Sequence, residues 1–241
     1  MLEGFRRALR VLPLPGRDGR SRALWDVRRG NERFRRADAE GAREAYEAAA
    51  SADPRYAPAW NNLGVALERL GRPMDALRCL NRALKINPSF VDAWCNKGLA
   101  LLHTDRPTRA AECFEVALQI DPAAELALMN LGIIRAREGD LGAARGLFER
   151  ALAEDPKYPA LWLNLGTAFL ESKDVSKAIR CFDAALSIRP AYAEAWYQKG
   201  RAYLEDGRAA EARACFDRAV RARPAFTEAT RELEALAGGP G

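Results

Sequence analysis

Residues 57–90 read APAWNNLGVALERLGRPMDALRCLNRALKINPSF, and their pattern predicts two helices. Trp60, Leu63 and Leu67 recur at helical spacing, and Gly71 then supplies a stop signal. A second apolar series at the same spacing follows and ends at Asn-Pro, because the residue before a proline is pushed out of the helical region. The segment therefore predicts one antiparallel helix pair.

The same pattern returns every 34 residues without insertion or deletion. Prolines keep this interval at Pro54, Pro88, Pro122, Pro156, Pro190 and Pro224. Glycines keep it at Gly30, Gly64, Gly98, Gly132, Gly166 and Gly200. Alanines keep it twice, at Ala42, Ala76, Ala110, Ala144, Ala178 and Ala212 and again at Ala49, Ala83, Ala117, Ala151, Ala185 and Ala219. A fixed period of this length is the signature of a helical repeat protein.

Small and large residues alternate in a way that predicts how the helices pack. Gly64 and its equivalents lie within a helix, where glycine costs about 1 kcal/mol relative to alanine. We expect that a close approach of the two helices offsets this cost. One large residue per repeat is available to fill the remaining space. These residues are Tyr46, Leu80, Phe114, Phe148, Phe182 and Phe216.

The order Trp, Leu-Gly, Ala, Phe, Ala, Pro over 34 residues resembles the tetratricopeptide repeat and covers residues 23–226. The six repeats are 23–56, 57–90, 91–124, 125–158, 159–192 and 193–226. The first is degraded, since Asp26 and Arg29 stand where Trp and Leu are expected. The resemblance implies an all-α fold, an α-solenoid in which antiparallel helix pairs form a right-handed superhelix. Residues 1–22 are then a basic tail or short amphipathic helix, and residues 227–241 a capping helix and tail.

In this family the first helices line a concave surface, and the resemblance implies a peptide-binding site there. An asparagine recurs at one position of these first helices and forms a row along the surface. Its side chain can pair with a peptide backbone or bond within the stack, and both interpretations stay open. Apolar residues beside the row would grip apolar side chains of the partner. The predicted peptide-binding residues are Asn62, Val65, Asn96, Leu99, His103, Asn130, Ile133, Asn164, Thr167, Tyr197, Gln198 and Arg201.

A carboxylate clamp, the best-known peptide site of the family, is excluded. It needs a lysine at a defined inward place, and no lysine stands at the fifth place of any repeat. That place holds Val27, Asn61, Cys95, Met129, Leu163 and Tyr197.

Cysteine and histidine do not predict a metal or catalytic site. Cys79, Cys113, Cys181 and Cys215 hold one repeat position, so we expect them to lie beyond disulfide reach and to act as small packing residues. A single histidine cannot complete a zinc set. His103 has no evident carboxylate partner in the sequence and is predicted to be a groove contact.

The net charge of +5 is concentrated at one end. Residues 1–36 hold eleven arginines and four acidic residues, so the rest of the chain is close to neutral. Leu2, Phe5, Leu9 and Leu12 share one helical face, with arginines beside it. Such a segment can cap the first repeat, dock on a partner or contact an anionic membrane surface.

These patterns predict a non-enzymatic scaffold or adaptor without cofactor, metal or catalytic residues. The partner is a protein or peptide, an apolar extended or helical segment, and no small-molecule substrate is expected. The alternative is an RNA-binding helical repeat or a membrane-surface adaptor that uses the basic N-terminal segment. An apolar, amide-rich groove disfavours nucleic acid. The absence of a signal sequence or apolar span predicts a cytoplasmic location.

Overall fold

The fold rests on thirteen helices in residues 18–237, the part of the chain that the computed structural model describes. No strand occurs among these residues. They divide into two units between Asp121 and Pro122. The predicted fold class, an all-α protein of the α-solenoid type, is confirmed.

The first unit contains three helix pairs. Its helices are α1 (Gly19–Arg35), α2 (Ala39–Ala52), α3 (Ala57–Arg69), α4 (Pro73–Ile86), α5 (Val91–His103) and α6 (Pro107–Ile120). Each helix packs against the next along the chain, and the first helices of consecutive pairs, α1 with α3 and α3 with α5, also contact each other. Helix α1 begins four residues before the predicted start of the first repeat, where Asp18 caps it by accepting a hydrogen bond from the Ser21 amide at 2.8 Å.

The second unit contains three further pairs and a last helix. Its helices are α7 (Glu125–Arg137), α8 (Leu141–Glu154), α9 (Pro159–Glu171), α10 (Val175–Ile188), α11 (Ala193–Glu205), α12 (Ala209–Ala222) and α13 (Thr227–Ala237). Helix α13 covers the end of the last pair, since Ala229 and Phe226 are buried together with Ala219.

The predicted close approach within each helix pair is confirmed. A Cβ atom on Gly166 would lie 2.6 Å from Cε1 of Phe182, and one on Gly64 would lie 2.8 Å from Cγ of Leu80. The large residues named above are buried, with Phe114, Phe182 and Phe216 fully inaccessible. The glycine of one helix thus provides the space for the large residue of its partner helix.

Tryptophan at the start of the first helix has a role that the sequence did not predict. The indole Nε1 of Trp162 donates a hydrogen bond of 2.8 Å to the carbonyl of Pro156, and three other tryptophans make the equivalent bond. In the repeat where Leu128 replaces tryptophan, Arg150 Nη2 donates to the carbonyl of Pro122 at 2.9 Å. The proline carbonyl before each first helix from α3 to α11 is therefore satisfied by a side chain even where the tryptophan is missing.

The cysteines are confirmed as packing residues. All five are free thiols, four of them buried. Burial raises the pKa of Cys181 and of Cys79 to about 11. Within residues 18–237 no group of three or more potential metal ligands is found, and no helix there has both the length and the apolar composition needed to cross a bilayer. The predicted N-terminal amphipathic face, Leu2 to Leu12, lies outside the described residues.

Candidate peptide-binding surface

The first helices carry all twelve predicted peptide-binding residues, and in the first unit the predicted asparagines bond to other asparagines of the first helices. Asn62 Nδ2 donates to Asn31 Oδ1 at 3.2 Å, and Asn61 Nδ2 donates to Asn62 Oδ1 at 3.1 Å. Asn96 Nδ2 then donates to Asn61 Oδ1 at 2.9 Å. We call Asn31, Asn61, Asn62 and Asn96 the asparagine ladder. It joins α1, α3 and α5 side by side.

The ladder is anchored in the core of the first unit. The hydroxyl of Tyr46, on α2, donates to Asn31 Oδ1 at 2.7 Å. Asn61 itself is only 5% exposed, so its side-chain amide is shielded from water and forms its hydrogen bonds with protein atoms. For Asn62 and Asn96, the structure therefore favours the reading in which these amides bond within the stack.

His103 has the carboxylate partner that the sequence did not reveal. Its Nδ1 lies in hydrogen-bond contact with Oε2 of Glu68, on the neighbouring first helix. The prediction that His103 lacks a carboxylate partner is wrong, because residues 35 apart on adjacent repeats lie side by side in this fold. Val65 and Leu99 are half-buried on α3 and α5, next to this polar row.

In the second unit three of the predicted residues line one cavity. Ile133 on α7 and Asn164 and Thr167 on α9 line a space of about 200 Å³. Ala136, Phe148 and Ala168 complete its apolar part, and two charged residues stand in its wall, Arg137 and Glu171. Three predicted residues from two different repeats thus meet at one place.

Asn164 differs from the other asparagines of the row. Asn130 is 9% exposed and donates to the carbonyl of Leu126 at 2.7 Å, so its amide is used within its own helix. Asn164 is half-buried, and among the described residues its side chain has no hydrogen-bond partner. Thr167 donates to the carbonyl of Leu163 at 2.9 Å, a bond that ties up its hydroxyl hydrogen. Asn164 therefore offers a donor and an acceptor at the edge of the cavity.

The remaining predicted residues lie on α11. Arg201 Nη1 donates to Gln198 Oε1 at 3.3 Å on the exposed surface. Tyr197 is half-buried and packs against the core at the end of the unit, with its ring centroid 5.8 Å from that of Phe216 and 5.1 Å from that of Phe226. Tyr197 thus contributes to packing at this end of the unit, and its role in binding stays a prediction.

Sequence reasoning missed Asn31, Glu68 and the two charged residues of the cavity wall. Asn31 stands in the degraded first repeat at the place that Val65 holds in the second. Glu68 stands where later repeats carry Leu102 and Leu170. For Glu68 the available signal was a single charged residue at an otherwise apolar repeat position.

Stacked antiparallel helix pairs with a recurring 34-residue pattern define a helical-repeat protein. Three models of the tetratricopeptide repeat match the chain, one of them over residues 66–125 and 163–225, the others over 135–186 and 45–78. The first model alone covers more than half of the sequence. The chain belongs to the tetratricopeptide-repeat family.

Solved structures share this fold at low sequence identity. The chain is similar to pilF of Pseudomonas aeruginosa, with a TM-score of 0.79 and 20% identity over 89% of this chain and 98% of that one. It is also similar to YrrB, a TPR protein described as having an unusual peptide-binding site, with a TM-score of 0.68 and 20% identity over 80% and 99% of the two chains.

A third similar structure, from the APC/C heterotetramer Cut9–Hcn1, has a TM-score of 0.77 and 19% identity. That match covers 89% of this chain and 43% of the other, so the chain spans less than half of that protein's length. No curated protein matches by sequence. At these identities the structural matches establish the fold alone.

Proposed function

We propose that this protein is a non-catalytic scaffold that binds a segment of a partner polypeptide on its first helices. The α7–α9 cavity, lined by Ile133, Asn164 and Thr167, takes an apolar side chain of the partner. Asn164 pairs with the partner's backbone. The observation that carries the proposal is the free amide of Asn164 beside an apolar cavity of about 200 Å³.

The chemistry of the cavity fits an apolar residue of the partner segment. Ile133, Ala136 and Phe148 provide the apolar surface, and a side chain buried there gains roughly 25 cal/mol per Å² of apolar area removed from water. A carboxamide at the edge accepts from a peptide N–H and donates to a peptide carbonyl, which is independent of the partner's sequence. The peptide-binding site that is described for YrrB, a protein of the same fold, adds support.

A selection from a random peptide library on immobilised full-length protein tests the proposal without knowledge of the natural partner. We expect the selected peptides to share one apolar position. Ile133→Asp should abolish their binding, because it places a charge in the apolar part of the cavity.

Ile188→Asp is the matched control, since Ile188 is 38% exposed at the end of α10 and is not part of the cavity lining. It introduces the same charge in the same unit and should leave binding intact. Equal binding by the natural protein and by Ile133→Asp, with helix content preserved in both, would remove the proposal. The cytoplasmic location stays a prediction from the sequence.

A further inference from the structure

A second and larger groove lies on the other side of α9. Its volume is about 540 Å³, and its apolar lining includes Leu152, Trp162, Leu165, Phe169 and Cys181. The exposed charged residues of its lining are Glu149, Lys177 and Arg180. At about 100° per residue, Trp162, Leu165 and Phe169 face away from the side of α9 that carries Asn164 and Thr167. We call this space the Trp162 groove.

In the next repeat a lysine side chain occupies the equivalent groove. Thirty-four residues further along, Trp196 replaces Trp162, Tyr203 replaces Phe169 and Lys199 replaces Leu165. The Lys199 Nζ atom lies 5.5 Å from the ring centroids of both Trp196 and Tyr203. It donates to Asp183 Oδ1 at 2.6 Å, and only 13% of the lysine side chain is exposed.

An earlier repeat also places a lysine at this position. Lys97 stands 102 residues before Lys199, and its Nζ lies 5.0 Å from the ring centroid of Trp94. The chain therefore shows twice what occupies this groove, an aliphatic stem that ends in an ammonium group over an indole ring.

In the Trp162 groove the receiving groups are present and the lysine is missing. Glu149 holds the place of Asp183, and among the described residues it has no ion-pair partner. Leu165 provides no cation, and Ala184 stands where Arg218 lies 4.7 Å from the ring centroid of Trp196. Within residues 18–237 no cation lies over the ring of Trp162.

We propose that the Trp162 groove binds a lysine side chain of a partner polypeptide. The methylene stem lies on the apolar lining, as lysine stems do on apolar surfaces. The ammonium group lies over the indole of Trp162 and pairs with Glu149. Phe169 contributes apolar surface only, because Lys177 and Arg145 already lie 5.3 and 5.2 Å from its ring centroid.

The chain's own cations leave the site available. Lys177 is held by Asp174, with Nζ 2.6 Å from Oδ2. Arg180 is exposed at the groove, and among the described residues it forms no ion pair with Glu149. An incoming lysine is preferred over Arg180 at the carboxylate because it also buries its stem against the groove.

The second repeat contains an equivalent groove of about 560 Å³, lined by Trp60 and Leu63. There the matching carboxylate, Glu47, is already bonded to Arg43, with Nη1 2.6 Å from Oε2. We therefore expect the Trp60 groove not to take a lysine. It provides a control within the same molecule.

The test is an NMR titration of the full-length ¹⁵N-labelled protein with the peptide acetyl-Gly-Gly-Lys-Gly-Gly-amide. The indole N–H signal of Trp162 should shift and saturate in the millimolar range, while those of Trp60 and Trp196 stay in place. The same peptide with norleucine, which keeps the stem and lacks the charge, should bind about tenfold more weakly. An unmoved Trp162 signal, or equal shifts with both peptides, would overturn the proposal.

Two variants separate binding at the groove from a general effect. Leu165→Lys copies the arrangement of Lys199, so it should fill the groove from within and abolish the shift of Trp162. Glu149→Gln changes an exposed residue, so we expect the variant to fold normally. It should weaken binding of the lysine peptide about threefold and leave binding of the norleucine peptide unchanged. Undiminished lysine binding by both variants would contradict the assignment.

Discussion

Glycine occupies two physically different places within the helices of this protein. At Gly166 an added Cβ would meet the ring of Phe182, whereas at Gly146 no atom lies within 4 Å. We expect Gly166→Ala to lower the free energy of unfolding by about 1–3 kcal/mol through overpacking. Gly146→Ala should raise it by up to about 1 kcal/mol, because alanine is the better helix former.

Urea unfolding followed by circular dichroism measures both variants. A Gly166→Ala variant as stable as the natural protein would show that the two helices do not approach each other as closely as described. The opposite signs at the two sites make each variant the control for the other.

The turn inside each helix pair requires a left-handed residue, and the repeats supply it unequally. Gly71, Gly139 and Gly207 hold this place with φ of 71°, 86° and 73°, whereas Ala37, Asp105 and Lys173 hold it with φ of 62°, 54° and 65°. Ala37→Gly should raise the unfolding free energy by about 0.5–1 kcal/mol, because the cost of the left-handed conformation exceeds the added backbone entropy.

The reverse change, Gly71→Ala, should lower stability by a similar amount at the equivalent position. Thermal unfolding of the two variants provides the comparison. A loss of stability in Ala37→Gly would mean that Ala37 does not adopt a left-handed conformation in solution.

Buried thiols should resist alkylation in the folded protein. Burial raises the pKa of Cys95 to about 12 and that of Cys181 to about 11, so at pH 8 the reactive thiolate is populated at only about one part in a thousand or less. Iodoacetamide followed by mass spectrometry should show little modification at pH 8 and full modification after unfolding in guanidinium. Rapid labelling of Cys181 in the native protein would contradict the described packing.

At the scale of the helices, the asparagine ladder links three neighbouring first helices. Asn61→Ala removes the acceptor of the Asn96 amide and the donor to Asn62, at a site only 5% exposed. We expect a loss of about 1–3 kcal/mol in unfolding free energy, since buried partners are left unsatisfied. Asn164→Ala should change stability by less than about 0.5 kcal/mol, because its amide has no protein partner to lose.

This pair of variants separates the two roles that one residue type plays on one surface. The unfolding free energies come from denaturant titration. Equal costs for the two variants would show that Asn164 is bonded within the stack like the others.

The helix pairs could be predicted from the sequence because their packing depends on residue size at fixed spacing. The packing of one pair can be inferred from the sizes and spacing of four residues, Gly166, Ala178, Phe182 and Ala185. The use of each amide could not be predicted, because Asn62, Asn130 and Asn164 occupy the same repeat position and differ only in what surrounds them. Asn62 meets Asn31 from the degraded repeat, and Asn130 turns to its own helix.

At the scale of the whole molecule, the 34-residue period establishes the family, and the charge distribution does not predict a partner. The 34-residue period runs without a break across Asp121 and Pro122, and it therefore did not predict the division into two units there. The membrane-surface and RNA alternatives depend on the basic residues near the N-terminus. Part of that segment, residues 1–17, lies outside the part of the chain that the structure describes. They stay predictions from the sequence.

The side-chain amide signals of the asparagines test the peptide-binding proposal most directly. A peptide selected on the full-length protein is titrated into ¹⁵N-labelled protein, and the four amides of Asn62, Asn96, Asn130 and Asn164 are followed by NMR. We expect the Asn164 signal to shift as the peptide saturates, while the signals of the other three, already bonded within the protein, hold their positions. A peptide that shifts Asn62 and Asn96 and leaves Asn164 unmoved would contradict it.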